Sequence, residues 1–338
     1  MKNTAFGARF NLAAVLSASL IALSVVSILS LTLGSRSVSL SEILEGLCND
    51  QARSMGALVV RKRIPRTVFG LLAGGALGMS GALMQAVTKN PLADPGILGV
   101  NTGASLFVVV GIAFLGIGSP NQYILFALCG AAVSSVFVYS VSAIGRGGVT
   151  PIKLALAGAA TAAALSSLIS AVMLPRASSM DSFRFWQVGG VGGATWSGIA
   201  AVAPFLGLGI VLGLYSTPTL NALALGDDVA ASLGVRVGLM RCVGALSGVL
   251  LCGATTALAG PIGFIGLMVP HSVRLLTGAD QRRVVPLSAI GGAAILVLSD
   301  VIGRLLGAPG ELEVGVVTAF LGAPALIGIA VRSKIRAI

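Results

Sequence analysis

The chain has 338 residues, of which 56% are hydrophobic and only 10% charged, and its mean hydropathy is +0.99. That balance excludes a soluble domain with a wetted surface and implies that lipid is the main solvent. The formal charge of +11 would suit a nucleic-acid binder in water. The cations sit instead at the ends of apolar runs, which implies membrane orientation and no nucleic-acid partner.

A hydrocarbon layer of ~30 Å needs about 20 helical residues per crossing, so the chain has room for about ten short-looped spans. The apolar runs are rich in Gly, Ala and Leu and lack the alternation of a membrane barrel. The expected fold is therefore all-α and polytopic, with residues 1–338 forming a single transmembrane domain.

Lys2 and Arg9 precede an apolar run from Leu12 to Leu33. The run is longer than a signal-peptide core and no small-x-small site closes it, so a retained first span is expected. Ser37 to Leu47 reads as a short amphipathic helix capped by Ser39 or Ser41. Arg61, Lys62, Arg63 and Arg66 then crowd the start of a second run, from 67 to 87, that stays uncharged until Lys89. Along it Gly70, Gly74, Gly78 and Ala82 step every four residues, which predicts close approach of a neighbouring helix. The turn Asn90 to Gly99 places Asn90 before Pro91 and Asp94 before Pro95, two cap-then-proline pairs that predict a sharp helix restart.

Further apolar runs fall near 98–117, 121–143, 152–174, 198–215, 237–259, 262–276, 285–306 and 314–331. Ten crossings put both termini on one side. With that side cytoplasmic, the inner segments hold Lys89, Arg146, Lys153, Arg236, Arg241, Arg274, Arg282 and Arg283 besides the terminal cations. Most outer cations fall between Arg36 and Arg66, against the usual trend. They suit either snorkelling beside lipid phosphates or an acidic partner outside.

Phe183, Phe185 and Trp186 follow the fifth span, as an interfacial belt or beside an outer mouth. Residues 217–236 form a loop too polar to span. Asp227 and Asp228 suit a helix start and Gly234 a helix stop, and the segment serves as a connector or as a docking element for a cytoplasmic partner. Gly244, Gly248 and Cys252 repeat the small-residue step in the second half. His271 has no ligand-type neighbours in sequence and reads as packed. Asp300 and Arg304, four apart, can meet on one helical face, as a structural pair or with Arg304 exposed for docking. Cys48, Cys129, Cys242 and Cys252 form no CxxC pair, and no metal site is expected. There is no G-x-x-x-x-G-K-[ST], so ATP-driven transport would require ATP bound by a second polypeptide, with no cofactor in this chain.

Four blocks carry a family resemblance: RIPRTVFGLLAGGALGMSGALMQAVTKNPLADPGILGVNTGAS, LALGDDVAASLGV, GPIGFIGLMVPHSVRLLTGADQRRVVP and GELEVGVVTAFLGAPALI. Together they resemble the iron-siderophore and cobalamin permease family of bacterial ABC importers, most closely its ferric-enterobactin type. The resemblance implies a type II ABC importer permease fold in the bacterial inner membrane, with both termini cytoplasmic. It implies three kinds of partner: a cytoplasmic ABC ATPase dimer, a periplasmic substrate-binding protein and a second permease subunit, identical or homologous. It also implies that Arg63, Arg66 and Arg304 pair with acids of the binding protein. By the same resemblance, the loop holding Leu225, Gly226, Asp227, Asp228, Ala230, Ala231 and Gly234 docks into the ATPase, and Gly147, Gly148, Val149 and Thr150 lie near an inner gate. One departure is Asp228, where Glu commonly precedes the two alanines; the charge is unchanged.

Two other function classes suit the residues less well. An ion-gradient transporter would use Asp300 as its coupling carboxylate. An intramembrane enzyme would need His271 and Asp300 together, and they fall on different helices with no nucleophile beside them.

Overall fold

The structure, a computed structural model, describes residues 11–34, 36, 38–49, 54–145, 149–175, 183–184 and 186–335. Among these residues there are helices and turns and no strand.

Helix α1 (Leu12–Thr32) turns Leu16, Leu20, Ile21, Val25 and Ile28 outward, as a helix bathed in acyl chains must. The amphipathic α2 (Leu40–Cys48) follows, and Ser39 rather than Ser41 is its cap, in a reciprocal box with Glu42. The Ser39 backbone N–H, and then its hydroxyl, hold the Glu42 carboxyl below the usual carboxylate range.

Helix α3 (Met55–Val87) has 33 residues. At 1.5 Å per residue that is about 50 Å, well beyond a hydrocarbon layer of ~30 Å. The hydropathy run predicts a start at 67. The helix begins a dozen residues earlier, capped by Ser54, and Arg61 to Arg66 lie within it because Arg63 and Arg66 find partners inside the protein.

The glycine ladder of α3 meets α11 (Gln281–Leu306). A Cβ on Gly74 would run into the Gly292 carbonyl, and one on Gly78 into that of Ser288. Between them the backbones pass close enough to exclude side chains. Gly81 lies in the same way against Gly266 of α10 (Ile265–Thr277). The second small-residue step, on α9 (Val237–Ala259), packs Gly244 on Val87 and Gly248 on Met84, and the Ser80 hydroxyl donates to the Gly248 carbonyl at 2.7 Å. Thus α3 is the axis of the bundle, with α9, α10 and α11 around it.

Outside this centre lie α4 (Val100–Leu115), α5 (Pro120–Ala143) and α6 (Pro151–Met173), with α4 and α5 meeting through Gly103 and Gly130. Helix α7 (Trp196–Ala224) packs on α9, where Ser247 donates to the Gly209 carbonyl at 2.6 Å. The short α8 (Asp227–Ser232) and α12 (Val314–Ile335) complete the order.

Among the described residues, seven helices are long and apolar enough to cross a membrane, and α4 and the Val314–Gly328 part of α12 are shorter apolar helices. The remaining run, expected at 262–276, behaves differently. Residues Gly260 to Phe264 are unwound, and the 13-residue α10 starts beside Gly81, deep in the bundle. At about 20 Å the helix alone is shorter than a crossing, and the unwound Gly260 to Phe264 make up the rest of the passage, from Ala259 bonded to Gly190 down to Gln281 bonded to Asn221. Irregular backbone survives at that depth because protein surrounds it. Phe264, the residue before α10, has φ +69, a left-handed geometry rare outside glycine.

Candidate functional site

At one end of the bundle, α8 stands between two glycines in left-handed backbone, Gly226 at φ +118 and Gly234 at φ +82. The expected stop at Gly234 is a full Schellman closure: Gly234 N–H bonds Ala231 and Val235 N–H bonds Ala230. Ala230 points into the protein, while Asp228 and Ala231 are exposed. Leu225 at 66%, Val229 at 45% and Leu233 at 64% exposure give this polar loop an apolar surface. Val229 and Leu233 escaped the sequence reading. Their signal was apolar residues four apart in a segment too polar to span.

Asp227 behaves unlike its neighbour. It accepts from Lys89 at 2.8 Å and from Arg241 at 2.9 Å, and the Lys89 hydrogen bond holds its carboxyl below the usual range. Beside it the Asn221 amide donates to Asp280 at 2.7 Å and accepts from the Gln281 backbone at 2.8 Å. That pairing is the main reason the Asp280 carboxyl is also lowered.

Thr150, from the region expected near a gate, caps α6 through the Lys153 N–H, with Pro151 at the first helical position. Val149 packs against the core. Gly147 and Gly148 lie outside the described residues.

The three arginines expected to face an outer partner converge, and all are turned inward. Arg63 donates to the carbonyls of Leu31 at 2.9 Å, Thr32 at 3.1 Å and Arg36 at 2.6 Å. Arg304, 1% exposed, donates to the carbonyls of Ser30 and Leu33 and to the Ser30 hydroxyl. All but the Arg36 carbonyl belong to the last turn and cap of α1, which has no cation of its own there. Orphan C=O groups and the negative helix end account for both positions. Asp300 binds Arg66 at 2.8 Å and Arg304 at 3.1 Å, with side-chain exposures of 4% for Asp300 and 2% for Arg304. The i,i+4 pair is therefore present and internal. Arg66 also binds Glu311 at 2.6 Å, and Glu311 is 42% exposed.

Phe183 is buried and stacks on Trp186 with ring centroids 6.2 Å apart; Phe185 is outside the described residues. His271 lies on α10 and Asp300 on α11 near its opposite end, so no catalytic pair forms.

The model of the FecCD transport family matches residues 22–332. The ferric enterobactin transport system permease protein FepD of Escherichia coli K12 is 44% identical over 94% of each chain. The Fe(3+)-citrate import system permease protein YfmD of Bacillus subtilis 168 is 40% identical over 90% of this chain and 91% of its own. An inward-facing metal-chelate type ABC transporter superposes with a TM-score of 0.81 at 26% identity, covering 95% of this chain and 99% of that one. Matched over nearly its whole length, the chain belongs to the FecCD transport family.

Proposed function

We propose that this chain is the permease subunit of an ABC importer that carries an iron(III)-siderophore across the bacterial inner membrane. The observation that carries this reading is the exposed Leu225, Val229 and Leu233 around α8, in a FecCD chain with no phosphate-cradling loop of its own. An apolar surface held outside the lipid calls for a protein partner, and the partner is the ATPase dimer that binds ATP. Relatives named for ferric enterobactin and Fe(3+)-citrate support an iron chelate as cargo.

The permease pairs with a second permease subunit through α6. Beside Leu156 and Leu168 that helix exposes Ala159, Ala160, Ala163, Ser166, Ser167 and Ser170, small and hydroxylated residues that allow a neighbouring helix to approach closely. Lipid covers α1. With Lys89, Arg241 and Arg283 at the α8 end, the cation balance supports cytoplasmic termini.

The periplasmic binding protein docks at the opposite end, over Arg66 and Glu311, with Arg63 and Arg304 buried beneath them. A partner carboxylate reaches Arg66 most readily, by exchange with the half-exposed Glu311. ATP binding draws the two α8 helices together and tilts the spans, opening the path to alternate sides.

The test is uptake by membrane vesicles holding the permease, its ATPase and its binding protein, with labelled iron(III)-siderophores, haem and cobalamin supplied in parallel. Siderophore iron accumulates. Accumulation of cobalamin or haem in place of siderophore iron would contradict the assignment.

A further inference from the structure

The two adjacent acids of α8 have different surroundings. Asp228 is exposed, whereas Asp227 reaches back to Lys89 at 2.8 Å and Arg241 at 2.9 Å. Lys89 ends α3 and Arg241 lies in the first turns of α9, so one carboxylate ties the α8 segment to the feet of two helices at the centre of the bundle.

Lys89 carries an independent sign that the contact matters. It has φ +49 and occupies the left-handed position of a Schellman closure: its N–H meets Ala86 at 3.4 Å, and the Asn90 N–H meets Gln85 at 3.2 Å. Glycine is the usual occupant of that position, because a Cβ is strained there. A lysine gains nothing locally. What it provides is an ammonium group beside Asp227.

Mechanics supply the reason. Helix α8 has six residues and glycines in left-handed backbone on both flanks. A push on so short a rod is absorbed at its hinges unless something besides the backbone links it to the bundle. We propose that Asp227 is the positioning residue that delivers displacement of α8 to α3 and α9, and that Lys89 holds its strained geometry to complete the link. This rests on the reading of α8 as the ATPase-docking helix.

The experiment uses the full transporter, with ATPase and binding protein, in proteoliposomes. Chelate moved per ATP hydrolysed and the thermal midpoint are measured for Lys89→Gly, Asp227→Asn and the double variant. Lys89→Gly keeps or raises the midpoint, because it relieves a strained position, yet its transport-to-hydrolysis ratio falls about fivefold or more. Asp227→Asn falls at least as far, because it also loosens Arg241, and the double variant is no worse than Asp227→Asn alone, since Lys89 has then already lost its partner. A Lys89→Gly protein with the unaltered ratio overturns the proposal. So does one whose loss of transport merely follows a lowered midpoint.

A cross-link from Ser232→Cys to the ATPase separates the two levels. If it fails in the protein carrying only that change, the docking reading is wrong and the link falls with it. If it forms there and in Lys89→Gly while the ratio is unaltered, docking stands and the link alone is wrong.

Discussion

Asp300 shows how a charge survives at the rim of a lipid-embedded bundle. Two guanidinium groups, from Arg66 and Arg304, take up its oxygens, and Arg304 is in turn held by the carbonyl end of α1. A carboxylate so engaged has no free site for a transported ion, which weighs against the gradient-driven alternative. Removing one member of a buried ion cluster strands the others, at a cost of about 3–5 kcal/mol. Asp300→Ala is therefore expected to lower the thermal midpoint in detergent sharply. Glu311→Ala, at a half-exposed and solvent-screened bridge, should cost no more than about 1 kcal/mol. Equal losses in the two variants would contradict this division. The Asp300–Arg304 pair was legible in the sequence because four residues make one helical turn. Arg66–Asp300 was not, because it joins residues 234 apart and depends on how α3 and α11 cross. For the same reason the spacing of Arg63 and Arg66 does not show what they touch within the chain: Arg63 meets the carbonyls that end α1, and Arg66 meets Asp300 and Glu311.

At the scale of elements, the small-residue ladders decide which helices touch. Gly78 is closed against the Ser288 carbonyl, while Gly207 on α7 has open space where a Cβ would stand. Gly78→Val should drive α3 and α11 apart, costing about 1–3 kcal/mol or more, and reduce the yield of monodisperse protein. Gly207→Val should be tolerated, since its side chain would enter lipid. Comparable behaviour of the two variants in size-exclusion and thermal-shift measurements would mean that the ladder is not a packing face. The sequence marked Gly70, Gly74 and Gly78 as one face and Gly244 and Gly248 as another, because period alone shows that. It could not name the neighbours. Hydropathy placed the run near 262–276 without showing how it is built, since an average over apolar residues does not register that Gly260 to Phe264 are unwound and that α10 begins beside Gly81, near the end of α3.

For the whole molecule, polar chemistry collects at the two ends of α3, with an acid-arginine cluster at one and the Asp227 link at the other. Between them lies a shaft of small residues and buried hydroxyls. Such a molecule can carry motion from one end to the other, and it holds no phosphate-binding loop to power that motion. The central claim is that an ATPase partner acting on α8 drives transport. It is tested most directly by reconstituting the chain with its ATPase and binding protein in proteoliposomes without ion gradients and measuring accumulation of labelled ferric siderophore with and without ATP. The account predicts accumulation only with ATP, abolished when the ATPase cannot hydrolyse it. Uptake at full rate without ATP, driven by an imposed proton or sodium gradient, would contradict it.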